Sequence, residues 1–465
     1  MHPLPRTNDE WLDLEQQYYM RHPLRTAPMV PERGEGLYMW DVEGNRYIDF
    51  QSGQLCVVLG HSHPRYVEAV CEQARTLMQT GTAFSVPSQI LLAKKIAELM
   101  PDPLQKSIFA CTGSESNEIA LRLAKVYTGR FEVVSLTHGY HGQTYGSYSI
   151  SGYGGAFRDG YGPGVPGVTF IPEANCYRCP LDHHYPECGI ACAKYAEYVL
   201  DTTTSGKPAA LFFEPLMSAG GMLVPAVEWV REIRRICTER GILMVADEAL
   251  TGFGRTGKWF AFEHFGIVPD IVTQSKGLGG AVPLCAVTTS AEIADRAMER
   301  GFMTFSSHSG DPLLCAAGLA NIEIIEQEGL VENARVVGDH LKAGLWRLQE
   351  QYDIVGDVRG LGLCLGLEIV TDPKSKTPFG AGVITISKYC FDHGLWLAGV
   401  GLPRKGDNQQ DTVLRSFQPN IIRLMPPITL TIQQADEALE IIEGGIKAAQ
   451  DEAPRPSAVS IQAAS

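Results

Sequence analysis

The chain has 465 residues, of which 45% are hydrophobic and 20% are charged, so its composition fits neither a disordered chain nor a fibrous repeat. Its 39 basic and 53 acidic residues give a net charge of −14, which argues against binding to the phosphate backbone of nucleic acids. No apolar run reaches the roughly 18 residues of a membrane span, and the first residues lack a signal-peptide pattern, so we expect a soluble, cytoplasmic protein without a membrane partner.

The beginning of the chain predicts a helix and a β-hairpin. Asn8 precedes an amphipathic stretch at residues 11–19 and is the expected N-cap of a helix. Two alternating apolar runs, residues 37–42 and 47–50, are joined by Glu43-Gly44-Asn45, whose turn chemistry predicts a hairpin.

From about residue 65 onwards, short apolar runs alternate with helical periods. Helical periodicity covers residues 117–126 and 227–237. Such alternation is typical of a mainly parallel sheet covered by helices on both faces. The predicted strands of this sheet are residues 107–110, 132–136, 209–214, 242–246, 271–273 and 284–288.

Beyond Gly310 the pattern changes to long helices and short β segments. The predicted helices are residues 312–327, 331–352 and 434–448. A short β-rich part surrounds residues 360–369, and residues 421–432 are the last core segment. We therefore expect an α/β fold with a large domain at residues 65–320. A smaller α+β domain is expected from both termini, residues 1–64 and 321–452, and residues 453–465 are predicted to be a disordered tail.

Lys276 is the most informative single residue. It lies in Ser275-Lys276-Gly277, directly after the apolar strand at residues 271–273. The carboxyl ends of the strands in such a sheet face the ligand crevice, and a desolvated lysine can form a Schiff base with a carbonyl carbon. By position alone, a surface lysine in a glycine-rich loop is the more common arrangement.

Asp247 follows the predicted strand at residues 242–246. A buried carboxylate at this place is costly unless it meets a cation or a strong donor, and a protonated pyridine nitrogen is one such partner. A buried aspartate that caps the following loop explains the same pattern.

Thr112 and Glu115 have capping-box spacing at the start of a helix, and Gly113 allows a ligand phosphate to approach the helix N-terminus. An ordinary well-capped helix has the same signature. Tyr140, which follows the strand at residues 132–136, can stack on a heteroaromatic ring.

One dinucleotide-binding pattern is rejected. Residues 252–257 match G-x-G-x-x-G, but the glycines begin five residues after Asp247, and the aromatic-rich segment at residues 258–265 does not open a helix. The strand-turn-helix context of a nicotinamide site is therefore missing.

Together, Ser275-Lys276-Gly277, the Asp247 segment and the Thr112 segment resemble the class III pyridoxal-phosphate-dependent aminotransferases, which have fold type I. Within that family the chain resembles the 2,2-dialkylglycine decarboxylase group most. Those enzymes remove carbon dioxide from an α,α-dialkyl amino acid and then transaminate a keto acid such as pyruvate.

The resemblance implies a role for each candidate residue. Lys276 would hold pyridoxal 5'-phosphate and act as general acid and base, and Asp247 would keep the pyridine nitrogen protonated. A homodimer or dimer of dimers with the active site at the subunit interface is also implied. The resemblance also implies that the phosphate is bound by Thr112, Gly113, Ser114 and, across the interface, Ser307. Tyr140 would contact the ring face, Arg423 would bind the substrate carboxylate, and Gln54 would contact the carboxylate that leaves.

Three positions differ from the decarboxylase group. Ala219, Leu250 and Tyr140 stand where those enzymes have Ser, Gln and Trp. Because two polar groups are lost, an ordinary ω- or α-amino-acid:pyruvate aminotransferase is the alternative function.

Two metal sites are predicted. The resemblance implies an alkali cation, K⁺ or Na⁺, at Thr82, Ser307 and Asp311, although an aspartate before Pro312 is equally typical of a helix N-cap. A C-x2-C-x8-C-x3-C pattern is compatible with structural zinc, and free or redox-paired thiols on a surface loop explain it equally well. The four residues of this pattern are Cys176, Cys179, Cys188 and Cys192.

Overall fold

The computed structural model describes residues 4–20, 27–154, 158–397, 402 and 419–453. Within these residues the strands form three sheets, of seven, four and three strands. The strands are β1 (Pro31–Glu35), β2 (Tyr38–Asp41), β3 (Arg46–Phe50), β4 (Leu104–Ala110), β5 (Val133–Leu136), β6 (Val168–Ile171), β7 (Ala210–Phe213), β8 (Leu243–Glu248), β9 (Ile271–Gln274), β10 (Cys285–Ser290), β11 (Val355–Leu361), β12 (Cys364–Ile369), β13 (Leu395–Leu397) and β14 (Ile421–Leu424).

Helices precede, cover and follow these sheets. Two 3₁₀ turns, Ala261–Phe265 and Lys276–Leu278, follow β8 and β9. The α-helices are α1 (Asn8–Tyr18), α2 (Ser52–Leu55), α3 (Pro64–Thr76), α4 (Pro87–Leu99), α5 (Gly113–Thr128), α6 (Tyr145–Ser149), α7 (Ala191–Thr203), α8 (Val227–Arg240), α9 (Ala291–Glu299), α10 (Pro312–Gln327), α11 (Leu330–Gln351), α12 (Gly380–Asp392) and α13 (Ile432–Glu452).

The seven-stranded sheet has the order β4-β10-β9-β8-β7-β5-β6, and β10 alone runs antiparallel to its neighbours. Every residue of β5, β7, β8 and β9 is buried, as expected for central strands covered on both faces. The α/β fold and all six predicted strands are confirmed. The sequence analysis missed β6, an edge strand that is only partly buried and whose apolar signal is weak.

The two smaller sheets combine distant parts of the chain. In the four-stranded sheet, β13 pairs in parallel with β3, so strands from both halves of the chain share one sheet. The predicted hairpin is confirmed, because β2 and β3 pair antiparallel with Tyr38 opposite Ile48. The three-stranded sheet has the order β11-β12-β14.

The first helix corrects one prediction. Its N-cap is Thr7, whose hydroxyl accepts a hydrogen bond from the backbone of Glu10, and the Glu10 carboxylate completes a capping box. Asn8 instead uses its side chain to bind Asp41 at 2.9 Å. A tertiary contact with the hairpin therefore occupies the residue that local sequence favoured as the cap.

Two further expectations concern the limits of the fold. Residues 252–257 form turns without opening a helix, which agrees with the rejection of a nicotinamide site. None of the described helices combines the length and the apolar character that a bilayer crossing demands. The predicted disordered tail lies, apart from Ala453, outside the described residues.

Candidate active site

Asp247 and Lys276 lie at the same edge of the central sheet. Strands β8 and β9 are parallel neighbours, and Asp247 is paired in register with Thr273. Lys276 follows three residues later, at the start of a 3₁₀ turn, with a φ of +33° that few non-glycine residues adopt. The candidate amine and the candidate carboxylate therefore share the carboxyl edge of two adjacent strands, where ligands bind in this class of sheet.

Asp247 is buried but well supplied with donors. Its Oδ2 accepts hydrogen bonds from Asn117 Nδ2 at 2.8 Å and lies 2.7 Å from His141 Nδ1, while Oδ1 accepts from the Ala249 backbone at 3.0 Å. Burial opposes ionisation, yet these hydrogen bonds and the His141 ring outweigh it and lower the pKa of Asp247. The site thus holds a fixed negative charge at a desolvated position.

Asn117 connects this carboxylate to the strand that leads to Lys276. Its Oδ1 accepts a hydrogen bond from the Thr273 hydroxyl at 2.9 Å, and its Nδ2 also donates to the His141 carbonyl at 2.7 Å. The His141 Nε2 atom is buried and has no hydrogen-bond partner among the residues that the structure describes. This network fixes the relative positions of Asp247 and the β9 strand.

The N-terminus of α5 points to the same edge. Thr112 caps the helix and forms a capping box with Glu115. A Cβ on Gly113 would lie 3.4 Å from the Ala249 Cβ and 3.5 Å from the Ser275 Cβ, so the first turn packs against the segments that follow Asp247 and precede Lys276. Since the first turn of a helix has N–H groups without intrahelical partners, this position suits a phosphate.

Ser114 is held in the same turn by the loop after Tyr140. Its Oγ accepts a hydrogen bond from the Gln143 backbone at 3.1 Å. Gly142 has a φ of +132°, and a Cβ there would clash with the Ser114 side chain, so only glycine fits.

Tyr140 and Glu214 meet beside Asp247. The Tyr140 backbone N–H donates to Glu214 Oε1 at 2.8 Å, and the Tyr140 ring contacts Tyr153 edge-on with centroids 5.7 Å apart. Burial raises the pKa of Glu214 to about 7, with the His141 ring opposing the shift and the Asp247 charge adding to it. A group with this pKa is suited to holding or releasing a proton near neutral pH.

Gln54 and Arg423 lie on two segments that are tied together. The Ser52 hydroxyl donates to the Met425 carbonyl at 2.6 Å, and the Met425 N–H donates to the Phe50 carbonyl at 2.9 Å. Gln54 itself is exposed. Arg423 stands on β14 opposite Gly366 of β12.

Cys364 places Arg423 and Lys276 in one neighbourhood. Burial raises the pKa of Cys364 to about 12, while the positive charges of Arg255, Arg423 and Lys276 oppose the shift. The guanidinium of Arg423 and the amine of Lys276 therefore both act on one buried thiol.

Two of the predicted interface and alkali-ion residues, Ser307 and Asp311, lie in a segment that contacts the end of β4. The Ser309 hydroxyl donates to the Phe109 carbonyl at 2.6 Å, and the Cys111 thiol donates to the His308 carbonyl at 3.4 Å. Ser307 and Thr82 are exposed, and the Gln79 side chain donates to the Ser307 carbonyl at 2.9 Å. Asp311 occupies the N-cap position of α10 without a capping hydrogen bond, and its Oδ2 is 2.7 Å from His308 Nδ1. The alkali-ion assignment stays a prediction.

The four cysteines of the predicted zinc pattern, Cys176, Cys179, Cys188 and Cys192, line one cavity of about 20 Å³ between β6 and α7. All four are free thiols. In the part of the chain that the structure describes, no three His, Cys, Asp or Glu side chains form a ready-made metal site. The zinc assignment stays a prediction.

Known proteins are similar to this chain along most of its length. The family described as aminotransferase class-III matches residues 19–446. The chain belongs to the class III aminotransferases. It is 33% identical to a probable 4-aminobutyrate aminotransferase of Bacillus subtilis, covering 95% of this chain and 98% of the relative. It is 34% identical to a leucine/methionine racemase of Thermococcus litoralis, covering 90% and 91%.

A solved structure also resembles this class III aminotransferase along nearly its whole length. An amine transaminase from an uncultivated Pseudomonas species, solved in its PLP-bound form, superposes with a TM-score of 0.83 and 31% identity. The superposition covers 94% of this chain and 99% of the other. Family and neighbour support pyridoxal phosphate as the cofactor and fold type I as the architecture.

The residues of this chain fit that cofactor. Asp247 offers a buried anion to a pyridine nitrogen, the α5 N-terminus offers N–H groups to a phosphate, and Lys276 offers an amine at the same sheet edge. The relatives compared above are named as aminotransferases and a racemase. Membership in the 2,2-dialkylglycine decarboxylase group therefore stays a prediction.

The sequence analysis gave no role to Asn117, His141 or Glu214. Each is a buried polar residue whose partners come from elements far apart in the chain. The sequence did contain a signal for them. Asn117 lies in the motif that begins at Thr112, His141 follows Tyr140, and Glu214 directly follows β7.

Glu248, next to Asp247, makes stability depend on pH. Its carboxylate accepts hydrogen bonds from the Phe262 backbone at 2.8 Å and from the Thr251 hydroxyl, and burial raises its pKa to about 7. This pKa lies above that of Glu248 in the unfolded chain, so the folded state binds more protons between roughly pH 4.5 and 7. The free energy of unfolding therefore falls as the pH rises through that window.

We expect Glu248→Gln to match the wild type near pH 4.5 but to be more stable at pH 8 by about 1–3 kcal/mol. Urea unfolding at the two pH values measures the difference, with the exposed Glu299→Gln as control. An equal change in the free energy of unfolding at both pH values would contradict the interpretation that burial raises the pKa of Glu248.

Proposed function

We propose that this enzyme transfers the amino group of an amino acid to a keto acid such as pyruvate. The observation that carries the proposal is the shared sheet edge of Asp247 and Lys276, with Arg423 in electrostatic range of the same thiol as Lys276. Amino transfer requires a cofactor that withdraws electrons, an amine that moves protons and a guanidinium that binds a carboxylate.

Each candidate residue has a separate role in the proposed reaction. When bound, pyridoxal phosphate supplies an electron sink for charge that develops at the substrate α-carbon. Asp247 would hold the opposing charge at the pyridine nitrogen, and Lys276 would carry the proton to and from the reacting carbon. The N-terminal turn of α5, with Thr112, Gly113 and Ser114, would bind the phosphate, and Tyr140 would contact the ring.

Arg423 is proposed to clamp the substrate α-carboxylate. We expect Arg423→Gln to raise KM for an amino acid by about 10- to 100-fold, because a charge-assisted hydrogen bond contributes about 1.5–3 kcal/mol. Steady-state kinetics with L-alanine and with an amine that lacks a carboxylate separate this role from general damage. A similar loss with both donors would contradict it.

Decarboxylation of an α,α-dialkyl amino acid is the second candidate. It is favoured by Gln54, which is exposed on a segment hydrogen-bonded to Met425, directly after the β14 strand that carries Arg423. Leu250 weighs against it, since this residue packs into a buried cluster with Leu216 and Met425 instead of offering an amide.

One experiment separates these reactions. The enzyme is given pyruvate with either 2-aminoisobutyrate or a proton-bearing amino acid, and acetone, carbon dioxide and alanine are measured. We expect keto acid from the second donor and no acetone above background from the first. Stoichiometric acetone would establish decarboxylation, and inversion of the donor without net keto acid would indicate a racemase.

A homodimer with the active site at the interface is also proposed. Met78, Phe84, Ile90, Met303 and Phe305 are each more than half exposed. Backbone and side-chain hydrogen bonds join the segments at residues 78–79 and 307–313, so these apolar residues belong to neighbouring parts of one face. Exposed apolar side chains on neighbouring segments indicate a protein interface, and Met303 and Phe305 lie just before the predicted phosphate ligand Ser307 in the chain.

Phe305→Asp is expected to shift the enzyme from dimer to monomer, because a charge would be buried in an apolar interface. Light scattering coupled to gel filtration measures the mass. Tyr198→Asp, at an aromatic residue of α7 that is also more than half exposed, is the control. An unchanged mass for Phe305→Asp would place the interface elsewhere.

A further inference from the structure

A four-thiol cavity lies outside the active site. The segment between β6 and α7 folds so that Cys176, Cys179, Cys188 and Cys192 all line a cavity of about 20 Å³. A space of this size holds one water molecule or one ion. Nothing in the proposed amino transfer uses these residues.

The lining of this cavity has the chemistry of a structural metal site. The four cysteines come from one short stretch of the chain, and His183 lies in the same lining. Cysteine sulfur and histidine nitrogen are the ligands of structural zinc sites, so the lining can supply the four ligands that such an ion needs.

The segment is anchored to the three-stranded sheet. Arg178, between the first two cysteines, pairs with the buried carboxylate of Glu368 on β12, and Lys376 Nζ donates to the Tyr177 carbonyl at 2.7 Å. Glu368 is opposite Ile421 of β14, the strand that carries Arg423. The cysteine segment therefore connects the large sheet to the strand that bears the proposed carboxylate ligand.

We propose that the four cysteines bind one structural zinc ion that orders this segment. Zn²⁺ prefers four thiolates in tetrahedral geometry and imposes no redox chemistry. Binding converts four thiols into four thiolates and releases four protons, which leaves a complex of charge −2. Because the thiols surround the cavity without converging on one point, the side chains turn inwards on binding.

The test begins with the intact enzyme. Elemental mass spectrometry of protein grown with zinc is expected to give one zinc and no iron per chain. Titration with a mercurial should release that zinc to a chromogenic chelator as the thiols react, and trypsin should then cleave after Arg178 faster than in the untreated enzyme. Zinc-free protein whose four thiols react freely, or whose cysteines form disulfides, would overturn the proposal.

Variants assign the ion to this segment. Cys188→Ser is expected to lose most of the zinc, whereas His184→Ala, in the same segment, and Cys71→Ser, on α3, retain it. Cofactor absorbance checks that each variant is folded. Zinc that persists in Cys188→Ser would place the ion elsewhere. Since metal content is read without turnover, the outcome is independent of the proposed amino transfer.

Discussion

Lys276→Ala is expected to lower turnover by about 10⁴-fold, because the variant lacks both the covalent anchor of the cofactor and the group that moves the proton. Lys276→Arg should be nearly as inactive, although it keeps the positive charge. Single-turnover kinetics with added methylamine measures how much of the loss a free amine restores.

Lys258→Ala is the matched control. This lysine lies in the neighbouring loop and donates to the Glu263 carbonyl, away from Asp247. It should leave turnover within a few-fold of the wild type. A Lys276→Ala enzyme that keeps wild-type turnover would remove the chemical basis of the proposed function.

Asp247→Asn is expected to reduce kcat by about 10²- to 10⁴-fold with little change in KM. Breaking a buried ion pair by removing one partner costs about 3–5 kcal/mol, and each 1.36 kcal/mol is a factor of about ten in rate. The loss falls on kcat because the charge stabilises electron density that develops during the reaction.

Asp270→Asn tests whether any carboxylate of this sheet has the same effect. Asp270 lies at the opposite end of β9, where it accepts hydrogen bonds from Arg234 and from the Met244 backbone. Steady-state kinetics should show normal kcat for this variant. Equal losses for both variants would mean that Asp247 acts through folding alone.

Periodicity predicted the central sheet because each of its buried strands is a short apolar run bounded by polar residues. It also predicted that Asp247 and Lys276 share an edge, since carboxyl ends of parallel strands coincide. Both features follow from local pattern and from the geometry of this fold class.

Other features depend on contacts between distant residues. Asn117 and His141 reach Asp247 from 130 and 106 positions away, so no local pattern contains these hydrogen bonds. The φ of +33° at Lys276 is likewise a feature of the folded 3₁₀ turn that the residue types around it do not indicate. Asn8 is a further example at a helix end. It is a good capping residue, but its side chain binds the carboxylate of Asp41 in the hairpin, so the local sequence predicted the wrong N-cap.

Borohydride reduction of the purified holoenzyme, followed by peptide mass mapping, tests the central claim most directly. The account predicts one pyridoxyl group per chain, attached to the peptide that contains Lys276. A modified peptide containing any other lysine, or no pyridoxyl group at all, would contradict it.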